Sequence, residues 1–190
     1  MNTKTNSFDE VQDEIVNLFT EEDGDQKFIF LTGAAGTGKT TLLERVKIQV
    51  DKKKMVVAPT GIAALNIGGT TINSAFRIGF DTIPEITKSK DPRFSKLLKN
   101  LELLIIDEIS MVRAPMLDAI SQSLQIHRKS TEPFGGVSVL ACGDLFQLPP
   151  VVKQYEERAI YEKYDSVYFF DAHSFKEIEG KIFYELTKSF

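Results

Sequence analysis

Residues 33–40 read GAAGTGKT, a full G-x-x-x-x-G-K-T set directly between an apolar run, FIFLT, and a helical stretch, TTLLERVKIQV. That arrangement constrains the chain more than any other, because it demands a strand, a curled loop and a helix in immediate succession. Its glycines let the backbone turn its N–H groups toward a phosphate, and the start of the following helix adds a favourable dipole. Gly33, Ala34, Ala35, Gly36, Thr37 and Gly38 are the candidate cradle, with Thr41 in the first helical turn. Lys39 is placed to reach the β- and γ-phosphates of a nucleotide, and the Thr40 hydroxyl to ligate Mg²⁺.

Four more apolar runs have strand length: KMVVAP, LELLIID, VSVLACGD and KIFYELT. Most alternate with stretches of helical character at 39–50, 60–66 and 113–127. Near-continuous apolar strands separated by helices imply a mainly parallel sheet covered on both faces, a doubly wound α/β domain. Strands that end in polar residues place a ligand at their C-terminal edge. Hydrophobic residues at 42% and charged residues at 26% of the 190 are ordinary for a globular domain, and such a core closes without disulfides. The single cysteine, Cys142, excludes an internal disulfide and a thiolate metal cluster. No apolar run approaches the ~18 residues that span a bilayer. The N-terminus lacks the pattern of a signal or transit peptide, which makes the cytoplasm the default expectation.

The net charge of −4 is unevenly spread: residues 1–26 hold −7 and residues 27–190 hold +3. Two units are therefore expected, an acidic helical segment over 1–26 and the α/β domain over 27–190. Phe8, Val11, Ile15, Leu18 and Phe19 fall at helical spacing, with Ser7 as the N-cap. Residues 77–100 carry six Lys or Arg against three acids and read either as a solvated insertion or as part of a basic groove.

LLIIDE ends a buried strand with Asp107 and Glu108. Successive side chains on a strand normally point apart, but at its end they can share a site. Asp107 is the candidate for the Mg²⁺ shell and Glu108 for polarising an attacking water. After the run VSVLAC, Gly143 allows a turn, Asp144 fixes it, and Pro149–Pro150 stiffen the exit. Gln147 is thereby held near the other strand ends, where its amide can touch a γ-phosphate; a purely structural loop is the other reading.

FLTGAAGTGKT, VVAPTGIAALN, GGTTINSAF, LLIIDEISMV and PFGGVSVLACGDLFQLPPV resemble, in order and spacing, the motifs of superfamily 1 helicases of the petite-integration-frequency type. These are RecD-related, ATP-driven motors that move 5′ to 3′ on single-stranded DNA. The resemblance runs from about Val11 to the C-terminus and implies a RecA-like P-loop domain, the first of two that hold ATP and Mg²⁺ between them. It makes Gln12 the adenine-recognising glutamine, where an exposed helix residue is the other reading. Thr60 and Gly61 match a DNA-contacting segment at a helix start. TTINSAF matches a strand-contacting motif through Thr71, Asn73, Ser74 and Phe76, with Asn73 in place of the usual histidine and Ala75 in place of a common aromatic. Phe76 is read as a base contact or a core residue, and Arg77 as a phosphate contact or a solvated side chain.

Cys142 reads as core, His127 and His173 carry no chemistry, and Tyr161, Tyr164, Tyr168, Phe169 and Phe170 pack the domain rather than stack bases. In the resembling helicases the ending KSF is followed by an arginine directed at the γ-phosphate and then by the second motor domain. The expectation is a monomeric motor half that binds nucleotide, turns it over poorly and holds single-stranded DNA weakly. The rival readings are a P-loop kinase, for which the paired carboxylates and GDLFQLPP are foreign, and a non-catalytic DNA- or partner-binding module.

Overall fold

The computed structural model describes residues 8–21 and 24–187. The elements in order are α1 (Phe8–Thr20), β1 (Phe28–Gly33), α2 (Lys39–Gln49), β2 (Lys54–Ala58), α3 (Gly61–Asn66), β3 (Thr70–Thr71), α4 (Ile72–Phe76), α5 (Pro92–Lys99), β4 (Leu103–Ile106), α6 (Ala114–Arg128), β5 (Ser138–Gly143), α7 (Gln154–Tyr161), α8 (His173–Glu177) and β6 (Lys181–Leu186). They form a six-stranded sheet in the order β3-β2-β4-β5-β1-β6. Every strand pairing in it is parallel. The five apolar runs are all strands. The sixth, β3, is two residues long, too short to leave a periodic signal.

The period of two along each strand divides the core between the faces. Phe28, Phe30, Leu104, Ile106, Val139 and Ala141 face one cluster with α5, α6 and α8. Ile29, Leu31, Leu103, Ile105, Leu140 and Cys142 face the other, with α1, α2 and α3. With both faces covered, the central strands contain almost no polar residue, which explains the continuous apolar runs.

Val11, Ile15 and Phe19 of α1 are buried in the same cluster as β1 and α2. The expected cap Ser7 and the terminal KSF lie outside the described residues. The segment 77–100 is anchored as well: Ile78, Phe94 and Leu98 are buried, while its lysines stay outside. Asp91 caps α5 by accepting from the Arg93 N–H at 2.8 Å, and Pro92 opens the helix. Phe169 is fully buried against Phe30 and Phe175, Tyr164 packs against the same core, and Tyr168 stacks on Phe170, whereas Phe170 and Tyr161 are exposed at the surface. His127 is buried with Nδ1 on the Ser123 carbonyl (2.7 Å) and Nε2 accepting from the Ser89 N–H (3.1 Å), a structural post.

Candidate nucleotide site and strand-facing segments

The loops following β1, β4 and β5 open at the same edge of the sheet, as parallel strands require. Between them lies a cavity of about 630 Å³ lined by Phe8, Ala35, Gly36, Gly38, Lys39, Thr40, Thr41, Asp107, Glu108 and Gln147. It collects the lysine, the hydroxyl, both carboxylates and the amide singled out from sequence.

The loop's inner residues shape it. Gly33 has no room for a Cβ, which would stand 2.6 Å from the Leu186 carbonyl oxygen at the end of β6. Gly38 has φ +92°, and a Cβ there would meet the Phe8 ring at 2.6 Å. Both constraints demand glycine. Thr37 is buried and its hydroxyl donates to the Ala34 carbonyl at 2.8 Å, so buried Gly33 and Thr37 back the loop while Ala34 stays exposed on it. Lys39 Nζ donates to the carbonyls of Gly33 (2.5 Å) and Ala34 (2.9 Å) and keeps its charge inside the curl of the loop.

The carboxylates reach one cavity through a break in strand geometry. Glu108 has φ 51° and ψ 41°, a left-handed conformation that non-glycine residues seldom adopt. This turn cancels the alternation that would send Asp107 and Glu108 to opposite sides. Asp107 is 9% exposed and its carboxylate accepts the Glu108 N–H at 3.0 Å. Burial raises its pKa from the ordinary aspartate value; the Glu108 N–H bond opposes the rise, the Glu108 charge adds to it and Lys39 opposes it. Gln147 is placed by the expected turn: the Asp144 carboxylate accepts the Phe146 N–H at 2.9 Å, and the Asp144 carbonyl accepts the Gln147 N–H at 3.1 Å. Neighbouring Cys142 is fully buried, and burial pushes its thiol well up, so it serves as core.

Gln12 is buried rather than exposed. Its Oε1 accepts from Arg45 Nη1 at 2.7 Å, which braces α1 against α2, and it is absent from the cavity lining. Arg45 also pairs with Asp13. Phe8, one turn earlier on the same helix, does line the cavity. In the sequence Phe8 is only an apolar position of the helix, and its approach to Gly38 is a tertiary one with no local signal.

The strand-facing candidates gather at the ends of β2 and β3, where Ala58 pairs with Thr71. Most of their polar atoms are already bonded. Thr60 caps α3 through the Ala63 N–H (3.2 Å). Thr71 caps α4 through the Ser74 N–H (3.3 Å), and its hydroxyl donates to Ser74 Oγ (2.9 Å). Asn73 Nδ2 donates to the carbonyls of Ile78 (3.1 Å) and Gly79 (3.0 Å). Gly61 is exposed, with open space around its Cα. Phe76 as a base contact is corrected: it is 3% exposed and packed in the core, where no base reaches its ring. Arg77 is exposed but pairs with Asp91 at 2.8 Å and lies 4.4 Å over the Phe94 ring.

A parallel sheet with a glycine-rich phosphate loop on one strand and paired carboxylates on the next-but-one strand defines the RecA-like class of P-loop domains. The particular family follows from comparison with known proteins. The PIF1-like helicase family profile matches residues 4–178, and the chain belongs to that family. It is 43% identical over 135 residues to the ATP-dependent DNA helicase PIF1 of Danio rerio, covering 69% of this chain and 21% of the relative. A crystal structure of Bacteroides Pif1 with ADP-AlF4 has 44% identity and a TM-score of 0.85 over 94% of this chain and 41% of that one. Bacteroides Pif1 in complex with ADP-AlF3 and ssDNA gives 42% and 0.87 over all of this chain and 43% of that one. The chain thus spans about a fifth of the curated relative and under half of the solved chains.

Proposed function

We propose that this chain is the ATP-binding first motor domain of a helicase that moves 5′ to 3′ on single-stranded DNA. The observation that carries the reading is the single cavity shared by Lys39, Thr40, Asp107, Glu108 and Gln147. The backbone of Ala35, Gly36 and Gly38 faces the phosphates, and Lys39 exchanges its loop carbonyls for β- and γ-oxygens. Thr40 and Asp107, one hydroxyl and one carboxylate on a common cavity, suit Mg²⁺, which takes few protein oxygens and completes its shell with phosphate and water. When bound, Mg²⁺ neutralises charge on the β- and γ-phosphates. Glu108 accepts a proton from the water that attacks the γ-phosphorus. The bond to the β-bridging oxygen breaks, leaving ADP and phosphate. Gln147 holds the γ-phosphate side, Thr41 and Phe8 the nucleoside side, and Gln12 steadies the helix that carries Phe8.

Two exposed apolar residues flank Gln147, Phe146 at 99% and Leu148 at 69%, as expected of a loop that meets a second motor domain. Gly61, Ser74 and, after rearrangement, Thr60, Thr71, Asn73 and Arg77 supply this half's grip on the DNA strand. The protein works in the cytoplasm as a monomer. The test is ATPase activity with and without single-stranded DNA, on this chain and on one extended through a second motor domain. The expected result is nucleotide binding with slow turnover here and DNA-stimulated turnover there. Transfer of phosphate to a small acceptor, or no nucleotide binding by either chain, would overturn the reading.

A further inference from the structure

Glu156 is a buried carboxylate that the nucleotide cavity does not use. It lies in the first turn of α7, directly after the Gln147 loop. Donors from three segments surround it. Its Oε1 accepts from Arg113 Nη1 at 2.9 Å and from Thr82 Oγ1 at 3.0 Å, and its Oε2 accepts the Lys153 N–H at 2.9 Å. Arg113 and Glu156 are both largely enclosed, so the pair is weakly screened, and breaking it would leave a buried charge.

Each donor has a different neighbour in the chain. Lys153 closes the loop that starts at Asp144 and carries Gln147. Arg113 caps α6, two residues after the short turn Ile109–Met111 that Glu108 opens, and its backbone bridges to Tyr168. Thr82 belongs to the 77–91 connection, which begins at Arg77, the C-cap of the strand-facing helix α4. The Arg113 side is therefore fixed to the core, whereas the Lys153 and Thr82 sides are loops. A shift of the first turn of α7 with the Gln147 loop carries Oε1 along, and Thr82 must follow it or lose its bond.

We propose that Glu156 is a positioning residue that couples the Gln147 loop to the 77–91 connection, so that nucleotide occupancy is felt at the strand-facing segments. The proposal rests on the cavity being the ATP site. A glutamine at this position has one acceptor oxygen and one NH₂ group. It keeps either the Lys153 bond or the Arg113 bond and sets its NH₂ against an N–H donor at the other, where the Thr82 hydroxyl alone can turn round to accept.

Hydrogen exchange measured by mass spectrometry on the 190-residue chain, with and without Mg²⁺ and a non-hydrolysable ATP analogue, tests this. In the unchanged chain the analogue should slow exchange in 33–41, 144–148 and 79–88. Thr82→Val leaves the Arg113 and Lys153 bonds in place. It should retain the protection in 33–41 and 144–148 and reduce the nucleotide-dependent protection of 79–88 at least threefold, as should Glu156→Gln. A merely structural role would speed exchange in 79–88 equally with and without nucleotide, leaving the ratio unchanged, and that result overturns the proposal. So does a wild-type 79–88 segment that ignores the analogue while 33–41 responds. No response in 33–41 of the unchanged chain would overturn the ATP-site reading itself, and with it the coupling.

Discussion

At the ends of β1, β4 and β5 the polar side chains converge on a shared cavity. At the ends of β2 and β3 they bond back to their own backbone. Lys39, Thr40, Glu108 and Gln147 line open space, whereas Thr60, Thr71 and Asn73 already serve as caps and loop ties. The difference separates two ways of holding a polyanion. The cavity gathers formal charge on Lys39, Asp107 and Glu108, so Lys39 gains a charge-assisted bond when it exchanges the Gly33 and Ala34 carbonyls for phosphate. The strand-facing segments are, Arg77 apart, neutral hydrogen-bonders, so on the proposed reading each gains little by trading an internal partner for a DNA phosphate. On the proposed reading, affinity for nucleotide resides in this half of the motor and affinity for DNA needs both halves.

The largest effect that would break this contrast lies in turnover. Glu108→Gln should leave ATP binding intact and lower residual hydrolysis by about 10²–10⁴-fold, the range for removing a general base. Asp107→Asn should instead weaken Mg²⁺-dependent binding. It should also raise stability at neutral pH. A carboxyl whose folded pKa is raised favours the folded state while protonated, and that advantage is lost as pH rises from the ordinary aspartate range through the folded pKa. The asparagine variant should therefore melt higher than the parent at pH 7, with the gap closing toward acid pH. Identical binding and turnover in the two variants would dissolve the division of roles.

Next is Phe76. If it is core, Phe76→Ala should cost about 3–5 kcal/mol in urea unfolding. A small stability change with a large loss of DNA affinity would restore it as a base contact. Lys39→Ala should weaken ADP binding by roughly 10- to 100-fold in calorimetry, the loss of a charge-assisted bond of about 1.5–3 kcal/mol. Unchanged affinity would remove Lys39 from the phosphates. The smallest signal is the salt dependence of single-stranded DNA binding, followed by fluorescence anisotropy. Its slope should correspond to about one to three phosphates, at about 0.7 each. Tight, salt-resistant binding by this chain alone would place the DNA site elsewhere.

The sequence determined the parts of this protein that depend on neighbours along the chain. The strand–loop–helix around Lys39, the runs that become β2, β4, β5 and β6, the Asp144 turn under Gln147 and the paired carboxylates each follow from a local pattern of apolarity, glycine or hydrogen-bonding side chain. Tertiary structure decided what depends on residues far apart. The ring of Phe8 reached the cavity because α1 packs on α2, and Gln12 became a brace because Arg45 stood opposite. Phe76 entered the core through contacts that a short helix cannot signal. The left-handed turn at Glu108 brought two successive carboxylates to one side. Glu156 became a junction only when Arg113, 43 residues away, and Thr82, 74 away, were folded onto it. A period of two or 3.6 shows which face of an element is apolar. The partner that face meets, and whether a polar group on it remains available to a ligand, is fixed when the layers close.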